Sequence, residues 1–194
     1  MRGGIDFLYL AIRALRGVFS DIATHLYLIQ YGDYKRNMSD QPIQNFYPDD
    51  VAICYGCGRL NSNGLHIQTI WNGEEGIGRF TPKPEHTAFP GFVYGGLLAS
   101  LIDCNGTGTA TAATYHAEGH EPGTEPEVAY VTGTLTVKFL KPTPLGPELV
   151  IRSRVKELHP KKAIISCSIY ANDEECVRGE VIAIRVQSRA LMGQ

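Results

Sequence analysis

The sequence predicts an α+β domain in which one long central helix packs against a curved antiparallel sheet of five to six strands. Three observations lead there. A single long apolar, helix-compatible stretch begins at Gly95 and runs to about Thr114. Two strand candidates precede it, joined by Asn72-Gly73. Three or four long candidates follow it, the first alternating strictly from Val131 to Phe139. One helix against one antiparallel sheet is a two-layer α+β arrangement.

The first 37 residues differ from the rest. IDFLYLAIRALRGVFSDIATHLYLIQYG is apolar and helix-compatible, but Arg13, Arg16 and Asp21 interrupt it. No uncharged run reaches the ~18 residues that a spanning helix needs, and no convincing small-residue cleavage site marks a signal peptide. Three readings stand: an amphipathic helix packed on the domain or touching a membrane surface, a poorly ordered tail, or a segment outside the natural protein. The last is favoured, because Met38 opens the polar MSDQPIQN. Residues 38–64 form a polar, turn-rich lead-in punctuated by Gly56, Gly58 and Gly64. The main domain is placed at residues 65–190.

Within that domain Leu65–Trp71 reads as a strand and Gly76–Phe80 as its return. Residues 81–93 form a loop with four breakers, Pro82, Pro84, Pro90 and Gly91. The helix carries Leu97, Leu98, Leu101 and Ile102 as its apolar stripe. Its second half, CNGTGTATAATY, is made of small residues that lower helix propensity but let a sheet approach closely. Residues 115–130 read as a loop. In Val131–Phe139, Leu135, Val137 and Phe139 face one way, and Thr132, Thr134, Thr136 and Lys138 the other. Glu148–Leu158 also alternates, and residues 162–171 and 176–187 complete the sheet. A sheet with exposed edges and one covering helix is expected to self-associate.

Composition narrows the function. The formal charge is −2 over 194 residues, and Lys161-Lys162 is the only adjacent lysine pair. Nothing here points to nucleic acid. Five cysteines without a regular framework favour a reducing compartment, and the chain is placed in the cytoplasm. There is no GxSxG, which argues against a serine hydrolase. Cys54-x-x-Cys57 has the spacing of a zinc or redox pair. Zinc takes four ligands, no second such pair follows, and Cys104, Cys167 and Cys176 make none, so the segment is read as a structural turn. His116, Glu118, His120 and Glu121 are metal-ligand types on what reads as a solvated loop. No metal and no cofactor is expected.

Residues 90–103, PGFVYGGLLASLID, carry most of the functional information. Gly95-Gly96 at the mouth of an apolar helix leave backbone N–H groups unshielded, which suits an anion or a developing oxyanion. Asp103 is a carboxylate among Leu98, Leu101 and Ile102, where burial is costly without a task. The plainer readings are a tight turn at Tyr94-Gly95-Gly96 and a structural hydrogen-bonding role for Asp103.

Four segments, CYGCGRLNSNGL (54–65), HTAFPGFVYGGLLASLID (86–103), VTGTLTVKFLKPTPLG (131–146) and the basic turn with its two strands from His159, resemble the hotdog-fold acyl-CoA thioesterases of the phenylacetate-thioesterase (PaaI-like) type. The resemblance spans about residues 50–188. It implies a hotdog fold and hydrolysis of acyl-CoA. By position it implies Asp103 as base or nucleophile, the Gly95 N–H as oxyanion donor with Tyr94 and Gly96 beside it, and Thr132 as the hydroxyl that positions carboxylate or water. It implies Lys161 and Lys162 as contacts for CoA phosphates. Two positions depart from the family pattern: Tyr94 stands where His is usual, and Ala88 where Asn or Gln is common. His86 is the nearest imidazole that can substitute.

Gly95 and Asp103 are eight residues apart, ~12 Å of helical rise. One thioester carbon cannot touch both ends within one chain. The site is therefore expected across a homodimer, or a tetramer of two dimers. The alternative is a non-catalytic acyl-CoA or lipid-binding hotdog protein, motivated by Tyr94 and Ala88. A dehydratase or hydratase is weaker, because its usual Asp–His pair is not evident.

Overall fold

The computed structural model describes residues 41–187. The expectations for residues 1–37 and for a start at Met38 lie outside the described residues.

The strands are β1 (Ile70–Trp71), β2 (Glu75–Phe80), β3 (Ala129–Phe139), β4 (Leu149–His159), β5 (Lys162–Ala171) and β6 (Glu174–Val186). The helix α1 is Gly95–Glu118. All six strands form one antiparallel sheet in the order β1-β2-β4-β5-β6-β3. The sheet wraps α1, giving the expected single helix in a six-stranded antiparallel sheet. The hairpin at Asn72-Gly73 forms as read: Gly73 takes φ +98°, and Asn72 Oδ1 accepts the N–H groups of Glu74 and Glu75 at 3.0 and 2.9 Å.

The expected strand Leu65–Trp71 shrinks to its last two residues. Its first part spends its backbone on the lead-in. Leu65 N–H goes to Tyr55 O (2.8 Å), Ile67 N–H to Gly56 O (2.9 Å), and Thr69 O accepts from Ile43 N–H (2.9 Å). His66 at φ +52° breaks the strand further. The lead-in is thus bound along this segment, with a 3-10 turn at Ile43–Phe46.

Helix α1 runs one turn beyond the expected end and stops at Gly119, whose φ of +73° makes the left-handed cap. His116 and Glu118 therefore lie on the helix, not on a loop. The Glu118 carboxylate is held by Arg185, with Nη1–Oε1 at 2.5 Å and Nη2–Oε2 at 3.0 Å. This ion pair holds its carboxyl below the usual range.

The small residues of α1 do what their size permits. A Cβ on Gly106 would stand 2.6 Å from Val181 Cγ2, and one on Gly76 of β2 would stand 2.0 Å from Thr109 Oγ1. Helix and sheet meet backbone to side chain, with no room for a methyl group. The core lies between them: Leu101, Ile102, Leu149, Ile151, Ile165, Ile169, Val177 and Val181 are all fully buried. Asn105 is the polar hub of this core. Its amide donates to Thr69 Oγ1 (3.1 Å) and accepts from Ser153 Oγ (2.5 Å), so the buried side chain is satisfied on both sides.

Strand β3 forms one edge of the sheet and pairs with β6 alone among the described residues. It is 11 residues long and largely exposed, Val131 and Phe139 included.

Candidate active site

Asp103 sits on the third turn of α1, half-buried between the buried Ile102 and Cys104. Its Oδ1 accepts a hydrogen bond from the Thr132 hydroxyl. Strict alternation along β3 would turn Thr132 away from the helix if Leu135 and Val137 face it. The structure corrects that expectation. The β3–β6 register shifts between Thr132 and Thr134, leaving Gly133 as the extra residue of a bulge. Tyr130 and Thr132 before the bulge therefore share the helix-facing side with Leu135 and Val137 after it. Tyr130 bonds Thr114 at 2.9 Å; Leu135 and Val137 pack on the core. A side chain at Gly133 would run into Ile184, 2.7 Å from the Cβ position.

In front of Asp103 and Thr132 lies a cavity of about 440 Å³, within the usual size of a ligand pocket. One wall comes from α1 and β3: Asp103, Thr107, Thr111, Tyr115, Tyr130 and Thr132. The opposite wall comes from the lead-in: Ile43, Phe46, Tyr47, Pro48 and Val51. The Tyr47 phenol is held protonated well above its ordinary range, first by burial and then by the Cys57 sulfur, while a hydrogen bond with Thr111 acts in the other direction. Sequence reasoning missed this wall. The only signal for it is the scatter of Ile43, Phe46, Tyr47 and Val51 through an otherwise polar segment, which has no periodicity to read.

The mouth of α1 gathers a second group. Tyr94 is the N-cap, without a side-chain cap bond, and its carbonyl accepts the N–H groups of Leu97 (3.1 Å) and Leu98 (3.3 Å). The N–H groups of Gly95 and Gly96 have no acceptor among the described residues, as expected for the first helical turn. The exposed Tyr94 ring folds back over Gly96, within 2.3 Å of where a Cβ would stand. Phe139 covers Gly95, with its ring 3.3 Å from the corresponding position. His86 is beside this mouth: its carbonyl accepts Tyr94 N–H at 2.8 Å. Its imidazole is engaged elsewhere, since Nδ1 accepts Lys83 N–H at 3.0 Å and the ring lies 5.6 Å from that of Phe80. Ala88 offers no side-chain donor; its N–H closes a tight loop onto Phe92 O at 3.0 Å.

Lys161 and Lys162 are exposed on the β4–β5 turn. The register puts Lys162 opposite Ile184 of β6, and Ile184 opposite Val131 of β3. Two strand spacings, about 10 Å, thus separate the basic turn from the residue next to Thr132. The structure brings Asp103 and Thr132 together and collects Tyr94, Gly95, Gly96 and His86 at the helix mouth. Within one chain these two groups stay a helical rise of ~12 Å apart.

Known proteins resemble this chain in sequence and fold. The Thioesterase superfamily description matches residues 90–177, from the turn before α1 into β6. A thioesterase superfamily protein from Shewanella loihica PV-4 is 39% identical, with a TM-score of 0.53 over 66% of this chain and 96% of that one. The PaaI protein of the Escherichia coli phenylacetic acid degradation operon shares the fold at 18% identity, with a TM-score of 0.53 over 63% of this chain and 81% of that one. The acyl-coenzyme A thioesterase THEM4 of Xenopus laevis is 31% identical over 56% of this chain and 43% of its own length. This chain spans less than half of that longer relative. With most of the Shewanella protein matched at this identity, and with a carboxylate on the central helix of a six-stranded sheet, the chain belongs to the thioesterase superfamily.

Proposed function

We propose that this chain hydrolyses acyl-CoA thioesters to a free acid and CoA. The observation that carries the proposal is the Asp103 carboxylate. It is held by the Thr132 hydroxyl at the wall of a cavity, on a helix whose mouth presents unpartnered N–H groups. The Xenopus relative is an acyl-CoA thioesterase, which supports the same substrate class.

The chemistry follows from the residues. The thioester carbonyl oxygen accepts the Gly95 N–H of one subunit, where the helix dipole favours developing negative charge. Asp103 of the other subunit takes a proton from water as the water oxygen bonds to the carbonyl carbon. The oxyanion then collapses, the C–S bond breaks, and the proton held by Asp103 goes to the leaving sulfur. In the second form of the reaction Asp103 attacks the carbon itself, the C–S bond breaks to release the CoA thiolate, and water hydrolyses the resulting anhydride. Thr132 orients the carboxylate in both. The acyl group occupies the cavity between α1, β3 and the lead-in. Lys161 and Lys162 at the β4–β5 turn contact the CoA phosphates, and Tyr94 supplies a donor beside Gly95.

A homodimer, alone or doubled into a tetramer, completes the site. The exposed 11-residue edge of β3, with Phe139 and Leu140 exposed at its end, supports this reading. The chain is read as cytoplasmic, supported by five free cysteines. No described helix is long and apolar enough to cross a membrane.

The test is thiol release from short-, medium-, long-chain and aryl acyl-CoAs, with Asp103→Asn beside the wild type. Turnover in the wild type and its loss in a folded variant support hydrolysis through Asp103. Retained turnover in Asp103→Asn overturns the mechanism. Acyl-CoA binding without thiol release from any substrate overturns hydrolysis and assigns a ligand-binding protein.

A further inference from the structure

The fold brings together three thiols that the sequence keeps far apart. Cys104 follows Asp103 on α1, and its Sγ meets those of Cys54 and Cys57 in the lead-in; all three sulfurs lie within 4.8 Å of one another. Sequence spacing hides this, because the third cysteine comes from the helix rather than from a second CxxC pair. We infer that Cys54, Cys57 and Cys104 form a zinc site with three thiolate ligands and a fourth position, filled by water, that faces the cavity.

Four features argue for a built site. First, the distances suit the ion: with Zn–S near 2.3 Å, a tetrahedral site needs sulfurs about 3.8 Å apart, so closure takes about 1 Å at most. Second, the CYGCG turn is folded to present its sulfurs. Gly58 N–H bonds Cys54 O at 2.8 Å, and a Cβ on Gly58 would stand 2.4 Å from Cys54 N, so the turn closes tightly on itself. Third, the turn is pressed on the helix cysteine: a Cβ on Gly56 would stand 2.3 Å from Cys104 Sγ. Any other residue there drives the turn off Cys104.

The fourth feature separates this site from ordinary core packing. Free cysteines often act as small apolar fillers, and the buried Cys167 and Cys176 fit that description. Cys54 does not, because it is exposed while its sulfur turns back toward the other two. Zinc binding replaces the thiol protons of the three cysteines, which leave to solvent, and its double charge offsets two of the three thiolates beside the Asp103 carboxylate. All three cysteines border the cavity, which leaves the fourth position to water. The site clamps the lead-in wall onto α1 immediately behind Asp103. It stands whether or not the chain hydrolyses thioesters.

The test is the metal content of the full-length protein, expressed with zinc in the medium and purified without chelators. The expected result is close to one zinc per chain. Cys54→Ser and Cys57→Ser should lose it, and Cys176→Ser should keep it. Cobalt added to the zinc-stripped protein should give thiolate-to-metal charge-transfer absorption and strong visible bands of a tetrahedral ion, so the outcome does not depend on variants that fold. Protein that purifies without zinc and gives no such cobalt spectrum overturns the inference. A native disulfide between Cys54 and Cys57, seen as a mass lower by two hydrogens, also overturns it and assigns the pair to redox chemistry.

Discussion

Thr132 donates its hydroxyl hydrogen to Oδ1 of Asp103, joining the edge strand β3 to the third turn of α1. The contact exists because the bulge at Gly133 turns Thr132 onto the helix-facing side. A hydrogen bond to a charged group is worth about 1.5–3 kcal/mol. Thr132→Val is therefore expected to lower kcat for thioester hydrolysis by roughly 10- to 100-fold with little change in KM, and Thr132→Ser to restore most of it. Steady-state thiol release on the three proteins checks this. An equal loss in Thr132→Ser would show that the methyl group, not the hydroxyl, matters.

Gly133 carries the geometry on which Thr132 depends. Gly133→Val places branched carbon where Ile184 already stands, 2.7 Å from the Cβ position. The variant should lose about 1–3 kcal/mol of stability from overpacking, read as a lower urea midpoint at unchanged slope. Activity should fall as well, since the bulge can relax only by moving Thr132.

The separation of Gly95 and Asp103 along α1 makes a prediction about mixtures. With the site shared across a homodimer as proposed, Asp103→Asn and Gly95→Val homodimers should each be inactive. Unfolded together and refolded, half of the dimers carry one intact site, so activity should return to about a quarter of the wild-type level. No recovery, with mixed dimers verified by differential tagging, would place both groups in one chain's site.

Acid stability reports on Glu75. This buried carboxylate on β2 accepts from Arg152 and, at 3.1 Å, from Arg154 of β4. The Arg152 hydrogen bond, the largest cause, and then that of Arg154 hold its carboxyl below the ordinary value of 4.5, against the effect of burial. A depressed folded value means that the contribution is complete above about pH 4.5 and disappears as pH falls through the lower folded value. Melting temperatures of wild type and Glu75→Gln should differ by a constant amount from pH 7 to about pH 5, then converge below about pH 4.5. A gap that persists unchanged to pH 3 would rule this out.

The sequence carried these features unequally. The start of α1, Asp103, and strands β4 to β6 were readable because their apolar residues repeat with the period of the element they form. The direction of Thr132 was not, because VTGTLTVKF alternates cleanly unless Gly133 is taken as a bulge. A glycine inside a strand was the available signal. The shortening of β1 was hidden for a different reason. Leu65–Thr69 has strand-like residues, but the lead-in takes up their backbone groups, and such long-range pairing leaves no local pattern. The same holds for Cys104, whose partners are visible only once α1 lies against the CYGCG turn.

The cavity has a divided origin with a consequence for engineering. Asp103 and Thr132 fall inside residues 90–177, whereas Ile43, Phe46, Tyr47 and Val51 of the facing wall precede that stretch entirely. Under the proposed function, the lead-in wall that would meet the acyl group and the residues proposed for the chemistry are thus written in separate passages of the chain. Exchanging residues 41–53 between relatives would retune which acyl groups are accepted while the helix, its carboxylate and the bulged strand stay as they are. The molecule is, in this respect, a fixed chemical head with an interchangeable gauge.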